Sequence, residues 1–326
     1  MNLVDYKQLK WIWISPLQGY APPPPLTNND YTIDSEYVFR RFIQASAYHI
    51  DYSLNNQIPL DADIYVIVSF DIGNLEKEIE FAKQVKANGK KLIVCYSADL
   101  RFLIGNCLIS PRGTLYTELC KYADVILSGT GRGINIYGRY ADRVLEWALP
   151  LEKRNFSDRP FENRDIDVLI SGSAGCECLS FELEFMFMLK EKYPDLKIVH
   201  SSQQGNKVYV DLFKDKGITF VHELLIKNLV NAKAYVNLEI RPRGARVGVD
   251  AFYCRTPMML CESTLFSELL PEFSYPMTMH LPNMVKTYEK MRDTDYNQTL
   301  QTMEKNAENL YFDNEIHNLM NRLYPE

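Results

Sequence analysis

Short apolar runs alternate along this chain with longer stretches whose apolar residues recur at helical spacing. In the first half KWIWIS (10–15), DIYVIVSF (63–70), KKLIVCYS (90–97) and DVILSG (124–129) predict strands, the second of them buried. DSEYVFRRFIQASAYHI (34–50) predicts a helix with Asp34 or Ser35 as N-cap. LEKEIEFAKQVKANG (75–89) predicts a helix closed by Asn88 and Gly89, and TLYTELCKYA (114–123) another. The four consecutive prolines of PLQGYAPPPPLTNNDY (16–31) can continue neither a strand nor a helix, so a loop is expected there.

A polar, charged stretch, LEKRNFSDRPFENRD (151–165), separates this series from a second. DVLISGS (167–173), LKIVHSS (196–202), ITFVHEL (218–224), AYVNLEI (234–240) and PMMLCE (257–262) predict strands. LSFELEFMFMLKEKYP (179–194), VYVDLFKDKG (208–217), LIKNLVNA (225–232) and VDAFYCRT (249–256) predict the helices between them. Residues 283–323 predict one or two amphipathic helices. This alternation is the mark of an α/β fold with parallel strands. It suggests domains at 1–152 and 153–282, with a helical tail at 283–326.

A chain of 326 residues has room for two cores. Its 46% hydrophobic and 24% charged content is that of an ordinary globular protein. A net charge of -6 and a pI of about 5.5 disfavour general nucleic-acid binding, leaving room only for a local basic site. No apolar run has the length of a membrane span, and the opening MNLVDYKQLKWIWIS is expected to lead into a first strand rather than to act as a signal peptide. Peripheral membrane contact stays open. The odd number of cysteines, seven, mostly in apolar surroundings, points to reduced thiols and a cytoplasmic setting. Cys176 and Cys178 lack further ligands at metal spacing, as do the five histidines, and the Asp-x-Asp at 61–63 merely begins a strand; no metal is expected.

Chemistry concentrates in EIRPRGARVGVDAFYCRTPMML (239–260). Arg241, Arg243, Arg246 and Arg255 stand there with Gly244 and Gly248, after a strand and before a helix expected to begin near Val249, with Asp250 in its first turn. Open α/β sheets bind ligands at such strand ends. The competing reading is a solvated charged loop, with Asp250 serving the helix N-terminus.

The layout and this stretch together resemble the GT-B glycosyltransferases, and among them the retaining family 4. KYADVILSGTGRGINIYGRYADRVLEWALPLEKRNF (121–156) is similar to the end of that family's N-terminal domain, with Pro150 and Phe156 kept at the crossover. YPDLKIVHS (193–201) is similar to its proline-aspartate before a strand of the second domain. VGVDAFYCRTPMML (247–260) resembles the run ending its Glu-x7-Glu motif: Asp250 falls at the second glutamate, Thr256 and Pro257 match, and Arg255 stands where glycine is usual. Pro242 stands at the first glutamate, with Glu239 near but out of register.

The resemblance implies two Rossmann-like domains facing a cleft, with the C-terminal helices returning to the N-domain. It implies a nucleotide-diphosphate-sugar donor held by the second domain, a glycan, lipid or other small acceptor presented by the first, retention of configuration, and no obligatory metal or cofactor. When the sugar leaves, negative charge grows on the diphosphate, and positioned guanidiniums and backbone N–H groups stabilise it there. Arg241, Arg243, Gly244 and Arg246 suit that task, and Asp250 is given the ribose hydroxyls.

ISGSAGC (170–176) can approach the phosphates through Ser171, Gly172, Ser173 and Gly175, or can be only a tight turn. Gly19, in the loop after the first strand, takes the place of glycines that face donor and acceptor. CYSADLRF (95–102) stands where the family often has a histidine or histidine-aspartate touching the transferred sugar; without a histidine the candidates are Tyr96, Ser97 and Asp99, and Asp99 can equally cap a helix. The catalytic candidates are therefore Asp99, Glu239 and Arg243. SGTGRG (128–133) has the wrong spacing for a dinucleotide fingerprint. The rivals are a catalytically inactive GT-B binding module and a sugar-nucleotide epimerase, with a glycosyltransferase acting on modified DNA further behind.

Overall fold

The computed structural model describes residues 5–15, 43, 45–49, 58–69, 75–96, 111–128, 138–147, 151–153, 156–157, 159–171, 179–201, 207–221, 225–238, 245–262, 264–276, 278 and 280–325. Two parallel sheets organise them. The first contains β1 (Trp11–Ser15), β2 (Ser46–His49), β3 (Ile64–Ser69), β4 (Lys91–Tyr96), β5 (Val125–Ser128) and β6 (Val144–Glu146), in the order β2-β1-β3-β4-β5-β6. The second contains β7 (Val168–Ser171), β8 (Ile198–Ser201), β9 (Thr219–Val221), β10 (Tyr235–Asn237) and β11 (Met258–Met259), in the order β11-β10-β7-β8-β9.

The apolar runs form strands because both faces of each sheet are covered. On one face of the first sheet Ile12, Tyr65, Ile67, Leu92 and Val94 meet α1 (Leu75–Ala87) and α2 (Pro111–Tyr122) through Ile79, Phe81, Ala82, Val85 and Leu119. On the other, Trp11, Trp13, Ile64, Val66, Ile93 and Leu127 form a separate cluster. α1 ends as expected, with Gly89 at φ 66° in the left-handed region.

The helix expected over 34–50 does not run to its end. Ser46–His49 form the edge strand β2, paired with β1 from Ile12↔Ser46 to Ser15↔His49. Serine, tyrosine and histidine carry little helix preference, and the open edge of β1 offers this segment a hydrogen-bonded ladder. The part of that stretch before Ile43 lies outside the described residues.

The second sheet is flanked by α3 (Leu179–Lys192), α4 (Lys207–Asp215), α5 (Leu225–Asn231) and α6 (Ala245–Tyr253). The tail forms three helices, where one or two were expected: α7 (Leu281–Asp293), α8 (Tyr296–Ala307) and α9 (Phe312–Leu323). Asp295 starts α8 anew by accepting from the Gln298 backbone N–H at 2.9 Å. Met284, Tyr288, Met291, Leu300 and Met303 of α7 and α8 join the second sheet's core. Phe312, Ile316, Leu319, Met320 and Leu323 of α9 instead cover the tryptophan face of the first sheet. The chain thus passes twice between the two layers at one place. Leu151 N–H donates to Leu310 O at 2.8 Å, and Phe312 N–H donates to Leu151 O at 3.0 Å.

Arg164, in the charged linker, is buried in the second core. Its guanidinium donates to Ala232 O (2.8 Å), Thr256 Oγ1 (3.1 Å), Cys254 O (3.0 Å) and Tyr296 Oη (3.1 Å). Ala232 and Cys254 directly follow α5 and α6, so one cation meets the negative ends of two helices. Burial pulls its pKa down, and the Tyr296 hydroxyl beside it pushes the other way.

α6 begins at Ala245, four residues before the expected start at Val249, and runs through Gly248. The glycine is a packing residue. A Cβ there would lie 2.9 Å from Phe266 Cβ and 3.1 Å from its Cγ. At the other end Arg255 takes φ 54°, with Arg255 N–H on Phe252 O and Thr256 N–H on Ala251 O, the Schellman pattern that usually carries glycine.

His200 of β8 is buried, bonds Glu182 of α3 at 3.1 Å and stacks on Phe213 and Phe220. Desolvation raises the Glu182 pKa, offset in part by His200.

Two outcomes are expected. Gly248→Ala should lower stability by about 1–3 kcal/mol in a denaturant titration, because the added methyl overpacks against Phe266. A raised folded-state pKa at Glu182 means stability that is present below its ordinary value of 4.5 and lost as pH rises through the raised value. Glu182→Gln has no such loss, so its melting temperature should gain on wild type as pH rises from about 4.5. A constant difference across that range would show that Glu182 is not protonated in the fold.

Candidate functional site

Strand order singles out one place in each sheet. In the second, β7, β8 and β9 run outward on one side, and β10 and β11 lie on the other. The order therefore reverses between β7 and β10. In the first sheet it reverses between β1 and β3. Such switch points, at the carboxyl ends of the strands, are where open α/β sheets take ligands.

At the switch point of the second sheet the strands turn from apolar to polar. Val168, Leu169 and Ile170 of β7 are buried core, and Ser171 ends the strand. Tyr235 and Val236 of β10 are likewise buried, and Asn237 ends it beside Ser171 in register. These polar ends are joined. Ser171 Oγ bonds Tyr235 Oη, Asn237 Nδ2 donates to Tyr235 Oη at 2.9 Å, and Tyr275 Oη donates to Asn237 O at 2.7 Å. All four residues are buried. A chain of this kind satisfies polar groups internally and holds the strand ends in one arrangement.

The segments that leave these two strand ends carry the sequence-predicted candidates. Gly172 and Ser173 follow β7; Glu239, Arg241, Arg243 and Gly244 lie between β10 and α6. These six lie outside the described residues, as do Gly19 after β1 and Asp99 after β4. Arg246 stands in the first turn of α6.

Asp250 is buried, but its position differs from the expectation. Because α6 starts at Ala245, Asp250 lies in the second turn, not the first. Four residues on, burial pushes the Cys254 thiol up to about 12, with the Asp250 charge adding to it. That thiol is inert at neutral pH.

Arg255 does not belong with the other arginines. It stands past the far end of α6, 3.0 Å from Glu304 of α8 and over the Phe156 ring. The matched Thr256 and Pro257 also serve packing. Thr256 Oγ1 donates to Leu229 O at 2.8 Å, and Pro257 O accepts from Tyr235 N–H at 2.8 Å. Asp61 and Asp63 lie at the amino end of β3, away from either switch point, with Asp61 bonded to Lys10 and Asp63 to the Lys10 N–H. Cys176, Cys178, His222 and Glu223 lie outside the described residues.

Sequence reasoning passed over Tyr235, Asn237 and Tyr275. A tyrosine among apolar residues suits the core, and only the side-chain hydrogen bonds show that these residues converge. A polar residue closing an apolar run was the available signal, at Ser171 and Asn237. No helix among the described residues is long and apolar enough to cross a membrane.

No protein-family model and no curated protein sequence matches the chain. Solved structures do. TarM is similar with a TM-score of 0.58 at 8% identity, over 80% of this chain and 54% of that one, so this chain spans about half of its length. MnaA of S. aureus, solved with UDP, is similar with a TM-score of 0.50 at 10% identity, over 95% and 94% of the two chains. An alpha-glucosyltransferase solved with UDP and a 13-mer DNA gives 0.52 at 13% identity, over 93% and 95%. At these identities the likeness is one of fold: the chain has the GT-B architecture, two parallel α/β sheets with helices on their faces.

Proposed function

We propose that the chain is a glycosyltransferase that moves a sugar from a nucleotide-diphosphate-sugar donor to a hydroxyl-bearing acceptor. The observation that carries this reading is the switch point of the second sheet. There the braced polar strand ends are followed in sequence by Gly172 and Ser173 on one side and, on the other, by Arg241 and Arg243 ahead of α6. Helix α6 adds the partial positive charge of its N-terminus, with Arg246 in the first turn. In this reading Arg241, Arg243, Gly244, Arg246, Gly172 and Ser173 hold the diphosphate, and Arg243 stabilises charge on the leaving phosphate. Asp250 receives the ribose hydroxyls from the second turn of the helix. Glu239 and Asp99 contact the transferred sugar, and Gly19 lies between donor and acceptor.

In this reading a first domain at 1–152, covered by α9, takes the acceptor, and a second domain from 153, with α7 and α8 packed into its core, takes the donor, with retention of configuration as the family resemblance implies. A cytoplasmic setting fits the reduced thiols. UDP is the first nucleotide to test, because MnaA and the alpha-glucosyltransferase were both solved with it. DNA enters as a second acceptor class on one finding, the near-complete mutual coverage with a glucosyltransferase solved on DNA. The net charge of -6 favours a small glycan or lipid acceptor instead.

The test is calorimetry with UDP, GDP and ADP and their common sugar conjugates, on wild type and Arg243→Ala. One nucleotide is expected to bind, with the variant weaker by roughly tenfold or more. Slow hydrolysis of the matching sugar nucleotide is expected of the wild type. Binding without any turnover would favour the inactive module, and the appearance of an epimerised sugar nucleotide the epimerase. No binding by any nucleotide would remove the donor-site reading.

A further inference from the structure

Tyr235 does more than fill the core. It lies on β10, one of the two strands between which the order reverses, and its hydroxyl reaches across to β7. Ser171 and Asn237 are register partners, so they mark the same level on the two strands whose order reverses there. The hydroxyl bonds both side chains. The Asn237 carbonyl is held separately by Tyr275, from the segment beyond β11. The ends of β7 and β10 are therefore tied to each other through the Tyr235 phenol, and the end of β10 is tied to a third segment through the Tyr275 phenol. Ordinary sheet pairing does not require this: β7 and β10 pair from Tyr235↔Leu169 to Asn237↔Ser171 by backbone alone.

We propose that Tyr235 is a positioning residue for the diphosphate. Its hydroxyl sets the spacing and direction of the two take-off points, Ser171 and Asn237, from which the phosphate-binding backbone and the arginines depart. This inference rests on the donor-site reading above. Diphosphate recognition needs backbone N–H groups and guanidiniums on two different segments to converge on a few oxygens. A small error at either take-off point lengthens every such bond. The base and ribose contacts, made farther along, depend less on that spacing. The device therefore acts selectively on the phosphate part of the ligand.

The variant is Tyr235→Phe, which keeps the ring and removes the hydroxyl. UDP with uridine, GDP with guanosine and ADP with adenosine are the probe pairs. In the variant the diphosphate of the pair that binds wild type should weaken by roughly tenfold while its nucleoside holds within about twofold. Backbone amides just after Ser171 and just after Asn237 should exchange faster with solvent, without ligand present. If both members of the pair weaken alike, the residue is ordinary packing and the proposal fails. If affinity and exchange are both unchanged, it also fails. If wild type binds no nucleotide, the donor-site reading falls and this role in diphosphate binding falls with it. The exchange result then still decides whether the hydroxyl braces the strand ends. Ser171→Ala cuts the same link from the other strand, should give the same selective loss, and serves if Tyr235→Phe does not fold.

Discussion

A guanidinium buried without a carboxylate is the constraint on which the second half of the molecule turns. Taking a cation out of water costs several kcal/mol, and a buried pair is the usual remedy. Arg164 finds another one. Its donors reach two carbonyls at the ends of α5 and α6 and two hydroxyls, and its face lies over the Tyr296 ring. The helix ends lack partners of their own and carry negative partial charge, so each side resolves the other's deficit. The linker, α5, α6, the entry to β11 and α8 are locked to one point. The rear end of α6 is fixed there, and its front end follows the segment that leaves β10.

The same accounting runs through the end of α6. Phe252 and Ala251 carbonyls go to the Schellman turn, Tyr253 O to Ser157 N–H, Cys254 O to Arg164 and Arg255 O to Tyr296. The Tyr253 hydroxyl meanwhile holds both backbone groups of Glu152 at 2.7 Å. The carbonyls of the last turn are thus all engaged, which fixes where α6 ends. The polar chain from Ser171 to Tyr275 acts in the same way at the strand ends. The two devices converge on one region from opposite directions, which is why the switch point of the second sheet, rather than that of the first, carries the functional reading.

Most of the strands were legible because burial on both faces leaves a continuous apolar run, as in IYVIVS of β3 or VLIS of β7. Positions decided by tertiary pairing were not. Ser46–His49 became a strand only because β1 had an open edge. Gly248 looked like loop punctuation, yet it sits inside a helix where Phe266 leaves no room for a Cβ. Arg164 looked like one more charge in a solvated linker, since nothing local announces two helix ends converging on it. Of the candidate site, the arginine-rich segment stood out by composition alone. The tyrosine that links its strand to β7 did not, because a tyrosine in an apolar strand reads as core.

The covering of the first sheet by α9 has a consequence for how the protein is made. Trp11, Trp13, Ile64, Val66, Ile93 and Leu127 lie in the first half of the chain, and the side chains that cover them, Phe312 to Leu323, come only after the whole second sheet. On the ribosome that aromatic face is complete long before its cover exists. Loop closure over such a span is slow, and the waiting surface is adhesive. The first sheet therefore cannot bury that face from its own half of the chain, and its core closes only when the α9 segment reaches it.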